Sequence, residues 1–167
     1  MPFPTSPARA HTRASRELRS EPVVLMLYFP SQAMPTDQQM NGGGTVLVID
    51  DDVEVLDSVQ RLLESEGVAV LTAPGPIEGI KMYTEHWPRV KVVILDFFMH
   101  IMKGDEVFEQ LQRVNPAVHV VLATGCDDEI AERMIAKGVR STLRKPFNAG
   151  ELLSRIREEI ATPLTRA

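Results

Sequence analysis

The amino-acid sequence predicts an α/β fold: a doubly wound, five-stranded parallel sheet with five helices. From Thr45 onward, short apolar runs of strand length alternate with longer segments whose apolar residues recur at helical spacing. Several of the apolar runs are continuous rather than alternating, which is typical of strands covered on both faces. Five consecutive β-α units therefore predict helices on both sides of the sheet, joined by right-handed crossovers.

Each apolar run is followed by a segment of helix length. After the first run, the apolar residues of VEVLDSVQRLLESE recur at intervals of three and four, which places them on one face of a helix. The segment GDEVFEQLQRV repeats this spacing after the third run. The predicted order is strand 46–49, helix 53–65, strand 68–71, helix 76–86, strand 91–95, helix 104–114, strand 118–123, helix 128–137, strand 141–143 and helix 149–161.

The composition restricts the classes of partner. The chain of 167 residues carries a net charge of -5, which argues against nucleic acid as a partner. Its single cysteine, Cys126, excludes an internal disulfide framework and suits a reducing compartment. No apolar run approaches the roughly 20 residues needed to span a bilayer. We therefore expect a cytoplasmic protein with no membrane partner.

A change in composition near residue 43 divides the chain. Residues 1–43 are rich in proline and arginine and lack sustained periodicity, so we predict a flexible N-terminal extension. Within it, PVVLMLYFP (22–30) resembles a signal peptide only weakly; the alternatives are a short docking segment and translation that begins at Met34 or Met40. The folded domain is expected over 44–162, followed by a C-terminal tail at 163–167.

Polar residues collect at the ends of the predicted strands. In open α/β sheets the ligand site lies beyond the carboxyl ends of the strands. The first strand ends in Asp50, Asp51 and Asp52, and the third strand ends in Asp96. The fourth strand ends in Thr124, which carries a hydroxyl group, and the fifth strand is followed by Lys145, which carries an ammonium group. These residues are therefore expected to share one edge of the sheet.

Such a set of groups suits a metal-assisted phosphoryl acceptor. Two carboxylates about 4 Å apart repel by roughly 4 kcal/mol at an effective dielectric constant of 20, and a hard dication such as Mg²⁺ relieves that repulsion. A carboxylate beside Mg²⁺ and a lysine suits aspartyl phosphate chemistry, in which both cations balance charge on the transferred group. Asp96 is the best candidate nucleophile because VVILDFF holds it at the tip of a buried strand. Thr124 could donate a hydrogen bond to a phosphoryl oxygen.

Four motifs in order carry a family resemblance. VLVIDDD, VVILDFFMHIMKG, VVLATG and LRKPF resemble the receiver domain of two-component response regulators over about residues 45–161. The resemblance implies strand order 2-1-3-4-5, a cis peptide bond before Pro146 and a magnesium cofactor. It also implies a histidine kinase or phosphotransfer protein as phosphoryl donor and a downstream protein target.

The resemblance also implies a role for each site residue. Asp50 and Asp51 would form the acidic metal pair, and the backbone carbonyl of Phe98 would join them and Asp96 as a metal ligand. Asp96 would be the phosphoacceptor. Thr124 would supply a hydroxyl group and Lys145 an ammonium group, and both would stabilise the phosphoryl group and act in switching.

The chain departs from the family pattern at four positions. His100 replaces a usual proline, and Lys103 replaces the usual acidic residue before the loop glycine. Thr142 occupies the position of the switch aromatic residue, so either output would have to use another element or the domain would barely switch. Phe98 replaces a polar residue, and its ring is expected to shield the acyl phosphate from water and slow autodephosphorylation.

Plainer interpretations apply to several of these residues. Asp52 directly precedes the first helix pattern, so we predict that it is the helix N-cap rather than a metal ligand. We predict that His100 is an ordinary loop residue rather than one that acts in phosphotransfer or metal binding. A redox role for Cys126 is likewise disfavoured. The apolar loop that follows the acceptor, at 97–102, either packs under the next helix or exposes a patch that docks a partner.

The predicted function is that of a single-domain response regulator, a signalling switch rather than an enzyme, which acts through protein contacts. One alternative is a receiver-fold module that binds proteins without being phosphorylated. Another is a Mg²⁺-dependent phosphohydrolase of the haloacid dehalogenase type, whose D-x-D pattern Asp50 and Asp52 satisfy but whose usual threonine is replaced by Glu54. The modified aspartate would distinguish them, since the hydrolase would use Asp50 and the receiver Asp96.

Overall fold

The computed structural model describes residues 44–125 and 128–162. The predicted extension at 1–43, the predicted tail at 163–167 and Cys126 lie outside these residues. The elements, in chain order, are β1 (Thr45–Ile49), α1 (Val53–Ser65), β2 (Val70–Ala73), α2 (Pro76–His86), β3 (Val90–Asp96), α3 (Gly104–Val114), β4 (Val120–Thr124), α4 (Asp128–Ala136), β5 (Ser141–Arg144) and α5 (Ala149–Ala161).

The five strands form one parallel sheet in the order β2-β1-β3-β4-β5. This confirms the predicted fold class. The chain leaves β1 toward β2 on one side and returns to place β3 on the other. The strand order therefore reverses between β1 and β3, and in such sheets ligands bind beyond the carboxyl ends of the strands at this point.

Alternate residues of each central strand enter two separate cores. In β1, Leu47 and Ile49 pack on the face covered by α2, α3 and α4, whereas Val46 and Val48 pack against α1 and α5. All four side chains are at most 1% exposed. Because successive strand residues point to opposite faces, a strand buried on both faces must be apolar throughout. This is why the apolar runs are continuous.

Two strands begin later than the sequence predicts. Val68 belongs to the turn that ends α1, since its N–H donates to the Leu63 carbonyl at 3.0 Å and Gly67 adopts a φ of 77°. Likewise, the N–H of Val118 donates to the Asn115 carbonyl at 3.0 Å, in a turn before β4. Both valines are apolar and adjoin a strand, but turn hydrogen bonds occupy their backbones.

Within the described ranges, no helix is long and apolar enough to cross a membrane.

Candidate functional site

Three carboxylates meet at the carboxyl edge of the sheet. Asp50 follows β1 and Asp96 ends β3, and their exposed fractions are only 3% and 6%. Asp51 is half-buried beside them. Each residue offers one oxygen such that the three oxygens lie within 4.8 Å of one another. The carboxyl ends of β1 and β3 therefore bring together the acids that the sequence places far apart.

Lys145 bridges the two buried carboxylates. Its Nζ donates to Asp50 Oδ2 and to Asp96 Oδ1, each at 2.7 Å. The backbone N–H of Lys145 donates to the Thr124 carbonyl at 2.7 Å, which extends the pairing of β4 with β5 up to the site. The following peptide bond, Lys145–Pro146, is cis, the geometry that the resemblance implies. Lys145 therefore contacts both buried acids directly.

Burial and charge act in opposite directions on the ionisation of this cluster. Burial raises the pKa of Asp96, and the charges of Asp50 and Asp51 raise it further, while Lys145 lowers it. Burial by itself would lower the pKa of Lys145, but its hydrogen bonds to Asp50 and Asp96 raise it above the ordinary value. The lysine is therefore charged at neutral pH. Asp96 needs cationic partners to stay ionised, because burial penalises its charged form.

Thr124 ends β4, the strand next to β3. Its side chain is 3% exposed, and in the part of the chain that the structure describes no group accepts from or donates to its Oγ1. A buried hydroxyl without a partner typically costs about 1–3 kcal/mol. Thr124 follows Ala123, which pairs with Asp96 in the ladder, and its hydroxyl is a donor without an acceptor in the described structure.

The three consecutive acids have separate contacts. Asp52 is the N-cap of α1, as predicted, because its carboxylate accepts from the N–H groups of Glu54 and Val55. Asp50 accepts from the N–H of Asp52 at 2.9 Å as well as from the lysine. The Asp52 carboxylate thus satisfies the helix terminus, while those of Asp50 and Asp51 belong to the cluster.

Sequence reasoning missed one contact of this site. His100 lies in the loop between β3 and α3, and both its backbone N–H and its ring Nδ1 contact Asp51 Oδ2, at 3.1 and 2.5 Å. The hydrogen bond from the His100 side chain is the largest cause of a lowered pKa at Asp51. The available signal was the departure from proline at this position, since proline has neither donor.

The apolar loop after Asp96 both packs and exposes side chains. Phe97 and Met99 are buried, whereas Phe98 and Ile101 are 55% and 77% exposed. The rings of Phe97 and Phe98 meet edge to face at a centroid distance of 5.0 Å. Alternate residues therefore anchor the loop while two large apolar groups face solvent, and docking of a partner there stays a prediction.

Gly104 allows this loop to close against the strand end. Its N–H donates to the Phe97 carbonyl at 2.9 Å. A Cβ at this position would lie 2.9 Å from Phe97 Cα and 3.0 Å from the Asp96 carbonyl oxygen. Real side chains do not tolerate such contacts with backbone atoms, so the close approach requires glycine.

Thr142 is a half-buried residue of β5, and it pairs with Leu122 in the parallel ladder. The strand that holds it is at the edge of the sheet. That Thr142 occupies the switch position stays a prediction from the resemblance.

The donor set suits a hard dication. The three clustered side chains all offer carboxylate oxygens, which Mg²⁺ prefers over softer donors. When the three acids are ionised, the single ammonium group leaves two negative charges without a partner cation in the cluster. A divalent ion matches this remaining charge.

Comparison with known proteins agrees with this geometry. The family described as response regulator receiver domain matches residues 46–157. The transcriptional regulatory protein CpxR homolog of Haemophilus influenzae is 33% identical over 113 residues, which cover 67% of this chain and 48% of that protein. The sensor kinase CckA of Brucella abortus is 27% identical over 120 residues, which cover 71% of this chain and 13% of the kinase. The chain thus spans about half, or less, of the length of these relatives.

Solved structures show the same fold. A response regulator receiver domain protein from Clostridium thermocellum has a TM-score of 0.67 at 33% identity, with 70% of this chain and 94% of that chain covered. A CheY-like receiver domain protein from Methanospirillum hungatei has a TM-score of 0.66 at 27% identity, with 70% and 93% covered. From the family match and this shared fold, the chain belongs to the response regulator receiver domain family.

Proposed function

We propose that this chain is a phosphoacceptor switch of a two-component system, which receives a phosphoryl group on Asp96 from a histidine kinase or phosphotransfer protein. One observation carries the proposal: Lys145 bridges Asp50 and Asp96 at 2.7 Å, and its backbone N–H donates to the carbonyl of Thr124, whose buried hydroxyl has no partner among the described residues. An ammonium group and a spare donor beside a buried carboxylate are what a transferred phosphoryl group needs.

In the proposed transfer, an oxygen of the Asp96 carboxylate attacks the phosphorus atom of a donor phosphohistidine. The new O–P bond forms as the P–N bond breaks, and the electron pair of that bond leaves with the imidazole, which then takes up a proton. Lys145 balances the charge of the phosphoryl oxygens, and Thr124 Oγ1 donates a hydrogen bond to one of them. The buried position of Asp96 limits access by water.

We propose Mg²⁺ as the cofactor, held by Asp50, Asp51, Asp96 and the backbone carbonyl of Phe98. Bound there, the ion would neutralise charge on the transferred group. The fit rests on the all-oxygen donor set and the excess negative charge of the cluster.

Output is proposed to use protein contacts, made by a receiver domain that spans 44–162. Receiver domains are generally signalling modules rather than enzymes, so we propose a signalling role rather than a catalytic one for this chain. The net charge of -5 disfavours DNA as a direct partner, although relatives of about twice the matched length include transcriptional regulators. Because Thr142 lacks an aromatic ring, we propose that the signal leaves the site through an element other than β5.

A second candidate is a protein-binding module that needs no phosphorylation. The exposed ring of Phe98 and the exposed aliphatic side chain of Ile101 favour this candidate, because large apolar groups in solvent are typical of docking surfaces. It predicts an intact fold and partner binding that do not depend on Asp96.

The deciding experiment is incubation with acetyl phosphate and Mg²⁺, followed by intact-mass measurement. We expect the wild-type chain to gain one phosphoryl group, and Asp96→Asn to gain none. Asp52→Asn is the matched control, since the capping carboxylate lies in the same acidic run but outside the cluster. Modification that persists in Asp96→Asn but is lost in Asp50→Asn would favour the hydrolase. No modification of any variant would favour the binding module.

A further inference from the structure

We propose that His100 is a positioning residue for the metal site, which holds the carboxylate of Asp51 through two hydrogen bonds. This inference rests on the proposed function, since it concerns the ligands of the proposed Mg²⁺ ion. It assigns a role to a residue at which this chain departs from the proline that is usual in its family.

Both contacts from His100 reach the same oxygen. The backbone N–H lies 3.1 Å and the ring Nδ1 lies 2.5 Å from Asp51 Oδ2. These two donors orient the carboxylate through Oδ2 and do not themselves occupy Oδ1, so His100 does not block Asp51 as a ligand.

Asp51 needs such support more than the other two acids do. Asp50 is buried and held by the Asp52 N–H and by Lys145, and Asp96 is buried and held by the same lysine. Asp51 lies one residue beyond Asp50, outside the strand, and its side chain is 24% exposed. Without His100 its side chain would have to be ordered by the incoming ion itself, which costs rotational entropy.

Hydrogen bonds to ligating groups orient them, and removing such partners typically lowers metal affinity by 10- to 100-fold. The His100 ring is 94% exposed, which weakens its bond through competition with water. We therefore expect an effect at the lower end of that range.

The two donors can be removed separately. Alanine at position 100 keeps the backbone N–H and loses the ring, whereas proline loses both donors. Glutamine restores a side-chain N–H donor and is the rescue variant. Ile101→Ala is the matched control, because it alters the next, 77% exposed side chain of the same loop without touching Asp51.

The test is direct binding of Mn²⁺ to the full chain, measured from the free-ion signal by electron paramagnetic resonance, with Mg²⁺ as competitor and at one fixed pH. We expect His100→Ala to raise the Mn²⁺ dissociation constant by about tenfold and His100→Pro to raise it further. His100→Gln should recover part of the loss, and Ile101→Ala should bind as the wild type does. Far-UV circular dichroism of each variant verifies that the fold is retained.

The outcomes separate the inference from the proposed function. Wild-type binding that Asp50→Asn abolishes, together with unchanged affinity in His100→Ala, would overturn the positioning role alone. Tighter binding by His100→Ala would also overturn it, since the histidine would then compete with the ion for Asp51. A wild-type chain that binds neither ion would refute the proposed metal site and this inference with it.

Discussion

Replacing Lys145 with methionine should destabilise the protein, and the loss should grow as the pH rises. The ammonium group lies 2.7 Å from both Asp50 and Asp96, whose exposed fractions are 3% and 6%. Methionine keeps a flexible, unbranched side chain of similar reach but carries no charge. The substitution therefore leaves two buried carboxylates without their shared cation.

The magnitude follows from what the variant can do to relieve this repulsion. Removing one partner of a buried ion pair typically costs about 3–5 kcal/mol. The variant can instead protonate one carboxyl group, which for an ordinary pKa near 3.9 costs about 4 kcal/mol at pH 7 and about 1.5 kcal/mol at pH 5. Because the Lys145 side chain is 27% exposed, water replaces part of what the lysine supplied. We expect a loss of about 2–3 kcal/mol at pH 7 and about 1 kcal/mol at pH 5.

The sign of the pH dependence is set by linkage. Burial already raises the pKa of Asp96, and removing Lys145 removes the groups that lower it. A carboxyl group whose pKa is raised in the folded variant stays protonated at pH values where the unfolded chain has already lost that proton. Between these two pKa values the folded variant binds more protons than the unfolded chain. Its stability, relative to the wild type, must therefore fall as the pH rises from about 4 toward 7.

Urea unfolding at pH 5 and pH 7, followed by circular dichroism and by the fluorescence of the single tryptophan, Trp87, measures both quantities. Lys137→Met is the control, since Lys137 makes exposed ion pairs with Glu109 and Asp105 and should cost at most about 1 kcal/mol. The reasoning would be refuted by a Lys145→Met loss below about 1 kcal/mol at pH 7, or by a larger loss at pH 5.

The Phe98→Asn variant should release its phosphoryl group faster than the wild type, because the ring two residues beyond the acceptor would no longer exclude water. The half-life of the phosphorylated protein is measured after removal of the phosphoryl donor, and equal half-lives would count against shielding by the ring. Stability should also fall as the pH drops below the unfolded histidine pKa of about 6.5. Burial and the charges of Arg140 and Lys91 lower the pKa of His119, while the charge of Glu159 opposes them. The unfolded chain therefore takes up a proton on this histidine more readily than the folded chain does. Urea unfolding between pH 5 and 7 should show a flatter dependence for His119→Gln, and an unchanged slope would contradict the assignment.

Much of the fold was predictable because burial on both faces leaves a continuous apolar run in each central strand. The bounds of α1, α2, α3 and α5 agree with the predicted ranges, since their amphipathic spacing is interrupted at clear caps and turns. The starts of β2 and β4 were predicted two residues early. Val68 and Val118 look like strand residues, and only hydrogen bonds to the preceding helix and turn exclude them from the sheet.

The candidate site was predictable in outline from one rule, that parallel strands carry their site at their carboxyl ends. That rule places Asp50, Asp96, Thr124 and Lys145 on one edge. It does not say that the lysine contacts Asp50 as well as Asp96, since two groups on one edge can still lie several ångströms apart.

By itself, then, the sequence determined the layered α/β fold, the edge at which polar groups gather and the helix cap at Asp52. These follow from periodicity and from neighbours in the chain, which local physics governs. Only the tertiary structure decided that Lys145 joins two acids 95 and 49 residues away, and that His100 contacts Asp51 across 49 residues. Such contacts depend on the relative height of strand ends and on the path of a loop, which are set by the packing of the whole sheet and its helices.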